Sequence, residues 1–268
     1  MIAGLPMYDL PGLEGHHDRL WDAIGTRLRA VGVDAPDHLT RDEPPTTLWT
    51  EPDLLLGQTC GYPLLKHLAG RVRLVATPRY RARGCDGPNH RSLIVVRKGD
   101  PRGGVSQFRG ARCALNDECS NTGMNLLRAE IAPLSRLGED AFFGEVVLTG
   151  SHSASLDAVI DDEADLAAID CVTYALLQRL KPTSVERVRV LSFTAQTPGL
   201  PLISAQSTPP EIIAALQDAL TAVAEDPALK PTLEALLIDG FTQVPAAHYR
   251  AVLHAEQIAV SQGYPKLQ

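Results

Sequence analysis

Two short stretches carry side chains that could hold or transform a ligand. The first is Cys119-Ser120-Asn121-Thr122-Gly123, and the second is Thr149-Gly150-Ser151-His152-Ser153. Each follows an apolar run that reads as a strand and precedes a run that reads as a helix. Two chemistries are open to them. Cys119 at a helix start could be a thiolate nucleophile with His152 as its base. Alternatively, the first backbone N–H groups of each helix, with the Ser, Asn and Thr side chains, form a seat for an anion. Gly123 would let another group approach the backbone closely. The plainer reading of Ser120, Asn121 and Ser151 is as helix caps, and of His152 as a cap's neighbour. No G-x-S-x-G elbow, P-loop or G-x-G-x-x-G accompanies these residues, which weighs against catalysis. Convergence of the two helix starts would suit a tetrahedral oxyanion, with His152 as a further and partly cationic donor.

Other reactive side chains fall outside any paired pattern. Asp117, Glu118 and His90 lack metal-ligand spacing, so no metal and no cofactor is expected. His16 and His17 open a helix and read as solvated. The five cysteines contain no C-x-x-C pair. Cys113 and Cys171 lie beside apolar runs as buried thiols. Cys60 and Cys85 lie in loop-like sequence and are open to a disulfide.

The elements that must position these residues alternate between strands and helices. Residues 1–5 read as a short strand, broken at Pro6-Met7-Tyr8-Asp9. Residues 14–31 carry Leu20, Trp21, Ile24, Leu28 and Val31 at helical spacing. A strand at 53–57 ends at Gln58-Thr59-Cys60-Gly61-Tyr62, a small polar turn of the kind that contacts ligands at strand C-termini. Strands follow at 72–77, 92–97, 112–115, 145–148, 165–169 and 187–193. Helices are expected at 63–68, 124–131, 154–160, 172–180, 210–224, 227–238 and 246–260. The alternation predicts an α/β protein with largely parallel sheets. Irregular stretches at 80–89 and 194–201 are the candidate crossings between two lobes. Tyr8, Tyr62 and Asp170 sit after strands, where they could face the same ligand.

With 44% hydrophobic and 21% charged residues, the composition is that of a globular protein. No run has the length of a membrane span. The net charge of -7 removes the basic face that a nucleic-acid partner requires, but leaves room for a small anion at helix N-termini. The first residues read as a strand rather than a signal peptide, which leaves the cytoplasm open.

A longer pattern runs through the chain. It comprises Phe108-Arg109-Gly110-Ala111-Arg112-Cys113-Ala114-Leu115-Asn116-Asp117, Ser120-Asn121-Thr122-Gly123, Phe142-Phe143, Thr149-Gly150-Ser151-His152-Ser153-Ala154-Ser155-Leu156, Ala167-Ala168-Ile169-Asp170 and Pro198-Gly199-Leu200-Pro201. In order and spacing, over roughly residues 1–224, it resembles the phosphate, phosphite and phosphonate substrate-binding proteins of ABC transporters. The resemblance implies a class II periplasmic-binding-protein fold. Its two α/β lobes are joined by two crossovers and close on a ligand in the interlobe cleft by a hinge. The implied lobes are residues 1–84 with 198–268, and residues 85–197. It further implies that Ser120, Asn121, Thr122, Gly123, Ser151 and His152 hold the ligand's oxygens. Aromatic and acidic residues hold the rest of it, often an amine, and Tyr8 and Asp170 are the matches; Gln58 and Tyr62 join the ligand-binding candidates from their place at a strand's end. Asn121 stands where the family carries a hydroxyl, and Ser153 where it carries an acid. The implied protein is a monomeric, periplasmic, non-catalytic uptake component that delivers a small oxyanion to a membrane permease. The alternatives are a cytoplasmic ligand sensor, or an enzyme on the same fold using Cys119 and His152.

Overall fold

Burial of one apolar stripe sets the first helix. Leu20, Trp21, Ile24 and Leu28 return every three or four residues along Glu14–Ala30 and are all buried. The helix from Pro210 to Glu225 answers with Leu216, Ala219, Leu220 and Val223 and packs against it. Fully burying side chains of this size contributes about 1.5–3 kcal/mol each.

The computed structural model describes residues 1–135 and 141–268. The chain begins β1 (Ile2–Gly4), α1 (Glu14–Ala30), α2 (Pro45–Leu48), β2 (Leu54–Gln58), α3 (Gly61–Lys66) and β3 (Val72–Tyr80). It continues through β4 (Asn89–His90), β5 (Ser92–Arg97), β6 (Arg112–Leu115), α4 (Leu126–Ile131), β7 (Glu145–Leu148), α5 (His152–Ile160) and β8 (Leu166–Asp170). Then come α6 (Cys171–Leu180), α7 (Pro182–Val185), β9 (Val188–Phe193), β10 (Thr197–Pro198) and β11 (Leu202–Ala205). The last elements are α8 (Pro210–Glu225), α9 (Lys230–Ala235), β12 (Ile238–Thr242) and α10 (Arg250–Ser261). No helix among the described residues is long and apolar enough to cross a membrane.

The chain divides into two units, Met1–Arg81 with Pro198–His248, and Ala82–Thr197 with Tyr249–Gln268. The first holds a five-stranded sheet in the order β1-β2-β11-β3-β12. Within it β1 and β2 are parallel, while β11 and β12 run antiparallel to their neighbours. The second holds a five-stranded sheet in the order β7-β6-β8-β5-β9. There β6 is parallel to β7 and β8, while β5 is antiparallel to β8 and β9. The sheets are therefore mixed rather than largely parallel. Helical crossovers make neighbours parallel, but β5 and β11 follow the loops where the chain changes unit and enter their sheets reversed.

The C-terminal segment departs from the expected division. Residues 249–268 pack with the second unit rather than the first. The reason is a set of polar ties backed by an apolar one. Asn125 Nδ2 donates to the Val252 carbonyl at 2.9 Å, and Arg128 Nη1 to the Pro265 carbonyl at 2.7 Å. Ala259 and Tyr264 join the core of Ile94, Val96, Phe108, Leu127, Phe142 and Leu166. A second departure lies near residue 238: the helix expected at 227–238 ends at Ala235, and a strand not expected from the sequence follows at Ile238–Thr242. Leu237 adopts φ 60°, which ends α9 and turns the chain into β12 against β3.

Candidate functional site

In the second unit, the Ser120 stretch folds as a widened helical turn. Residues Asn121–Asn125 form one π-turn that runs directly into α4. The amides of Met124 and Asn125 both reach the Ser120 carbonyl, at 3.3 and 3.0 Å. Such widened turns concentrate at functional sites. Ser120 Oγ caps the turn by accepting from the Gly123 amide at 2.9 Å. Gly123 is required by packing. A Cβ there would lie 1.7 Å from Asn116 Oδ1 and 2.7 Å from Asn116 Cγ.

Asn121 explains its own departure from the resembled motif. It is fully buried, and its Nδ2 donates to Thr197 Oγ1 at 2.9 Å. Its Oδ1 accepts from Asn125 Nδ2 at 3.0 Å. Asn125 Oδ1 in turn accepts from Arg128 Nη2 at 2.8 Å. The amide side chain of Asn121 is thus part of an internal brace, a task that needs a donor and an acceptor together and that a hydroxyl of serine length cannot span.

Thr122 and His152 meet. Their Oγ1 and Nε2 atoms share a hydrogen bond at 3.0 Å, which joins the start of the widened turn to the start of α5. The Thr122 carbonyl is held from behind by Ser92 Oγ at 2.6 Å. Ser151 Oγ caps α5 by accepting from the Ala154 amide at 3.1 Å. Desolvation lowers the His152 pKa below the ordinary histidine value, against the pull of the Asp170 carboxylate and the Ala168 carbonyl. The expected partly cationic donor is therefore a neutral ring at pH 7.

Asp170 is not open to a ligand in the way the sequence reading expects. It ends β8 at 2% exposure, and Oδ1 accepts from the amides of Val172 and Thr173 at 2.9 and 3.0 Å. Its Oδ2 lies 3.0 Å from His90 Nδ1, a ring that is equally buried. Burial pushes this carboxyl up, but the His90 contact, the charges of His90 and His152, and the Thr173 amide hold it below the ordinary aspartate value. Its two tasks are to cap α6 and to set the electrostatics behind His152. Cys119 carries no sign of activation: burial and the charges of Asp117 and Glu118 raise its pKa.

The first unit brings together Tyr8 and Gln58 through a residue that the sequence reading passes over. Tyr80, at the end of β3, accepts from Gln58 Nε2 at 3.1 Å. Its ring meets that of Tyr8 edge-on, with centroids 5.1 Å apart and planes at 78°. Trp49 Nε1 donates to the Gln58 carbonyl at 2.8 Å and fixes that strand end. Tyr62 is buried in the first turn of α3, with Lys66 Nζ 5.8 Å from its ring centre. His17 is not solvated. It is buried, and its Nε2 donates to the Tyr8 carbonyl at 3.1 Å, locking the turn that carries the tyrosine. The signal for His17 is available in the sequence, since it lies three residues before Leu20 on the apolar stripe.

The disulfide left open between Cys60 and Cys85 is absent, and none of the five cysteines is bridged. Cys85 faces Cys171. Among the described residues no cluster of histidine, cysteine or carboxylate side chains could hold a metal ion.

The two depressed histidines set a pH dependence. His17, like His152, has its pKa lowered by burial. An unfolded histidine takes up its proton near pH 6.5, whereas these two resist it when folded. Acid therefore favours the unfolded chain from about pH 6.5 downward. Thermal unfolding between pH 7.5 and 5 should show Tm falling with pH, and His152→Gln should flatten the fall.

Solved structures share this architecture across nearly the whole chain. XAC2383 from Xanthomonas citri, bound to ATP, is 18% identical with a TM-score of 0.72, covering 98% of both chains. The binding protein component of an ABC phosphonate transporter from Pseudomonas aeruginosa, PA3383, is 13% identical with a TM-score of 0.75. That match covers 98% of this chain and 87% of the other. PhnD1 from Prochlorococcus marinus, in complex with methylphosphonate, is 12% identical with a TM-score of 0.76, covering 96% and 97%. At these identities the likeness establishes the two-lobed binding-protein fold. No curated protein matches the chain significantly. The family model described as "ABC transporter, phosphonate, periplasmic substrate-binding protein" matches residues 51–249, and the chain belongs to that family.

Proposed function

We propose that the protein captures a small oxyanion of the phosphonate or phosphate class in the periplasm and passes it, unreacted, to a membrane permease. The observation that carries this reading is the Thr122–His152 contact. It sets a hydroxyl and a neutral imidazole side by side where two helical turns begin. A phosphonate oxygen can take the place of either partner in that hydrogen bond. The aligned peptide dipoles of both helix starts favour its negative charge, on a chain whose net charge alone would repel it.

In this reading Ser120 and Gly123 shape the seat, and Ser151 orients the start of α5. Asn121 contributes its backbone, since its side chain is committed to Thr197 and Asn125. Within the first unit, Tyr8, Gln58 and Tyr62 are the candidate ligand residues, with Tyr80 added to them. Asp170 acts through His152 instead of touching an amine. A binding role needs no nucleophile, which accords with the raised pKa of Cys119. The working species is a monomer without a nucleic-acid partner.

His152→Ala and Thr122→Val should each weaken binding of methylphosphonate about tenfold or more, the value of one charge-assisted hydrogen bond. Isothermal calorimetry reads this directly. Unchanged affinity in both variants would remove these residues from the site.

A further inference from the structure

Cys85 and Cys171 face each other inside the second unit, with sulfur atoms 3.5 Å apart. Neither position has the freedom of a surface loop. The Cys85 amide donates to the Ala82 carbonyl at 3.0 Å, and the adjoining turn is closed by two hydrogen bonds between Asp86 and Asn89, both 3.0 Å. The Cys171 amide donates to the Arg91 carbonyl at 3.1 Å. Between them Gly84, at φ 113°, lets the backbone pass so close that a Cβ there would stand 2.9 Å from Cys171 Cβ. The two sulfurs thus already touch, at 3.5 Å, where a disulfide holds them about 2 Å apart.

We propose that Cys85 and Cys171 form a disulfide in an oxidising compartment, and that this bond staples the chain across the His90–Asp170 pair. Cys85 lies five residues before His90, and Cys171 immediately follows Asp170. The bond would therefore tie the segment that enters β5 to the start of α6, on both flanks of the buried polar pair behind His152. The bond itself rests on the sulfur geometry alone; its link to ligand binding rests on the function proposed above.

The chemistry is thiol–disulfide exchange with a low-molecular-weight disulfide such as oxidised glutathione. Cys85, the less buried of the two, loses its proton to solvent and attacks one glutathione sulfur. The glutathione S–S bond breaks, and one glutathione leaves as a thiolate. Cys171 then loses its proton, attacks the Cys85 sulfur of the mixed disulfide, and releases the second glutathione. Two cysteine thiols are oxidised by two electrons, and one glutathione disulfide is reduced to two thiols. The Cys85 contact first, and burial second, push the Cys171 thiol up, so the partly exposed Cys85 reacts first.

The test uses the full chain, reduced and then equilibrated with excess glutathione disulfide, quenched by alkylation and mapped by mass spectrometry without reduction. The expected result is loss of two of the five thiols, no retained glutathione, and one cross-linked peptide joining Cys85 to Cys171. Tm should rise by about 5 °C or more, because a long loop is closed, and should fall back with dithiothreitol. Cys85→Ser should fold, keep its other four thiols out of any internal bridge, and show no such rise. Five alkylated thiols, glutathione retained on Cys85, a different pairing, or a bridge that leaves Tm unchanged would each overturn the proposal. Methylphosphonate titration of the same samples is read separately, so an absent ligand response leaves the bridge standing.

Discussion

Asp170→Ala should destabilise the second unit by roughly 2–4 kcal/mol, the cost of a lost helix cap and of a buried imidazole left without its polar neighbour. Three contacts vanish together. The amides of Val172 and Thr173 lose their cap at the start of α6, a loss of about 1 kcal/mol. His90, buried at Nδ1 against the carboxylate, is left facing an apolar gap. His152 loses the charge that opposes the lowering of its pKa. Urea unfolding monitored by circular dichroism checks the magnitude. Asp170→Asn separates the contributions, because it retains a cap oxygen and removes only the charge. It should cost less than Asp170→Ala and still weaken methylphosphonate binding. If the aspartate instead met a ligand amine directly, Asp170→Asn would abolish binding of 2-aminoethylphosphonate while sparing methylphosphonate. Equal losses for the two ligands are expected.

Gly123→Ala should reduce affinity on the order of a hundredfold, equivalent to about 2.7 kcal/mol. The added methyl group would meet Asn116 Oδ1 at 1.7 Å and Asn116 Cγ at 2.7 Å, and Ser120 Oγ lies behind them at 3.1 Å. Asn116 must swing out or the widened turn must shift. A shift of the turn displaces the Gly123 amide from Ser120 Oγ and moves Thr122 away from His152. Every donor of the seat moves at once, which is why the effect exceeds deletion of a single hydroxyl at Thr122. Overpacking of this kind also costs stability, about 1–3 kcal/mol. Calorimetry at a temperature well below the variant's Tm keeps the two effects apart.

How much of this was legible in the sequence follows the range of the interactions. The stripe of Leu20, Trp21, Ile24 and Leu28 declares its helix because the signal is local and repeats. Ser120 and Ser151 declare their caps because the bonded amide is three residues on. The Thr122–His152 contact was accessible only through the family pattern, since thirty positions separate the two residues. Tyr80 was missed because β3 runs three residues beyond its apolar stretch, to a tyrosine that resembles any loop aromatic. Asn121 looked like an oxygen-binding side chain because a polar residue at a helix start has that default role. Only the positions of Asn125 and Thr197 show that it turns inward. Asp170 looked open for the same reason, and His90 supplies the counterpart that no spacing rule connects to it. The C-terminal helix was assigned by chain order, whereas its real partners are single polar atoms of Asn125 and Arg128.

The central claim is that this chain binds an oxyanion of phosphorus. The most direct measurement is calorimetric titration of the wild-type protein with phosphate, phosphite, methylphosphonate and 2-aminoethylphosphonate. The account predicts saturable, one-to-one binding of at least one of them, with an affinity in the micromolar range or tighter, weakened in His152→Ala. No heat from any of the four, alongside saturable binding of a carboxylate or another metabolite class, would contradict it.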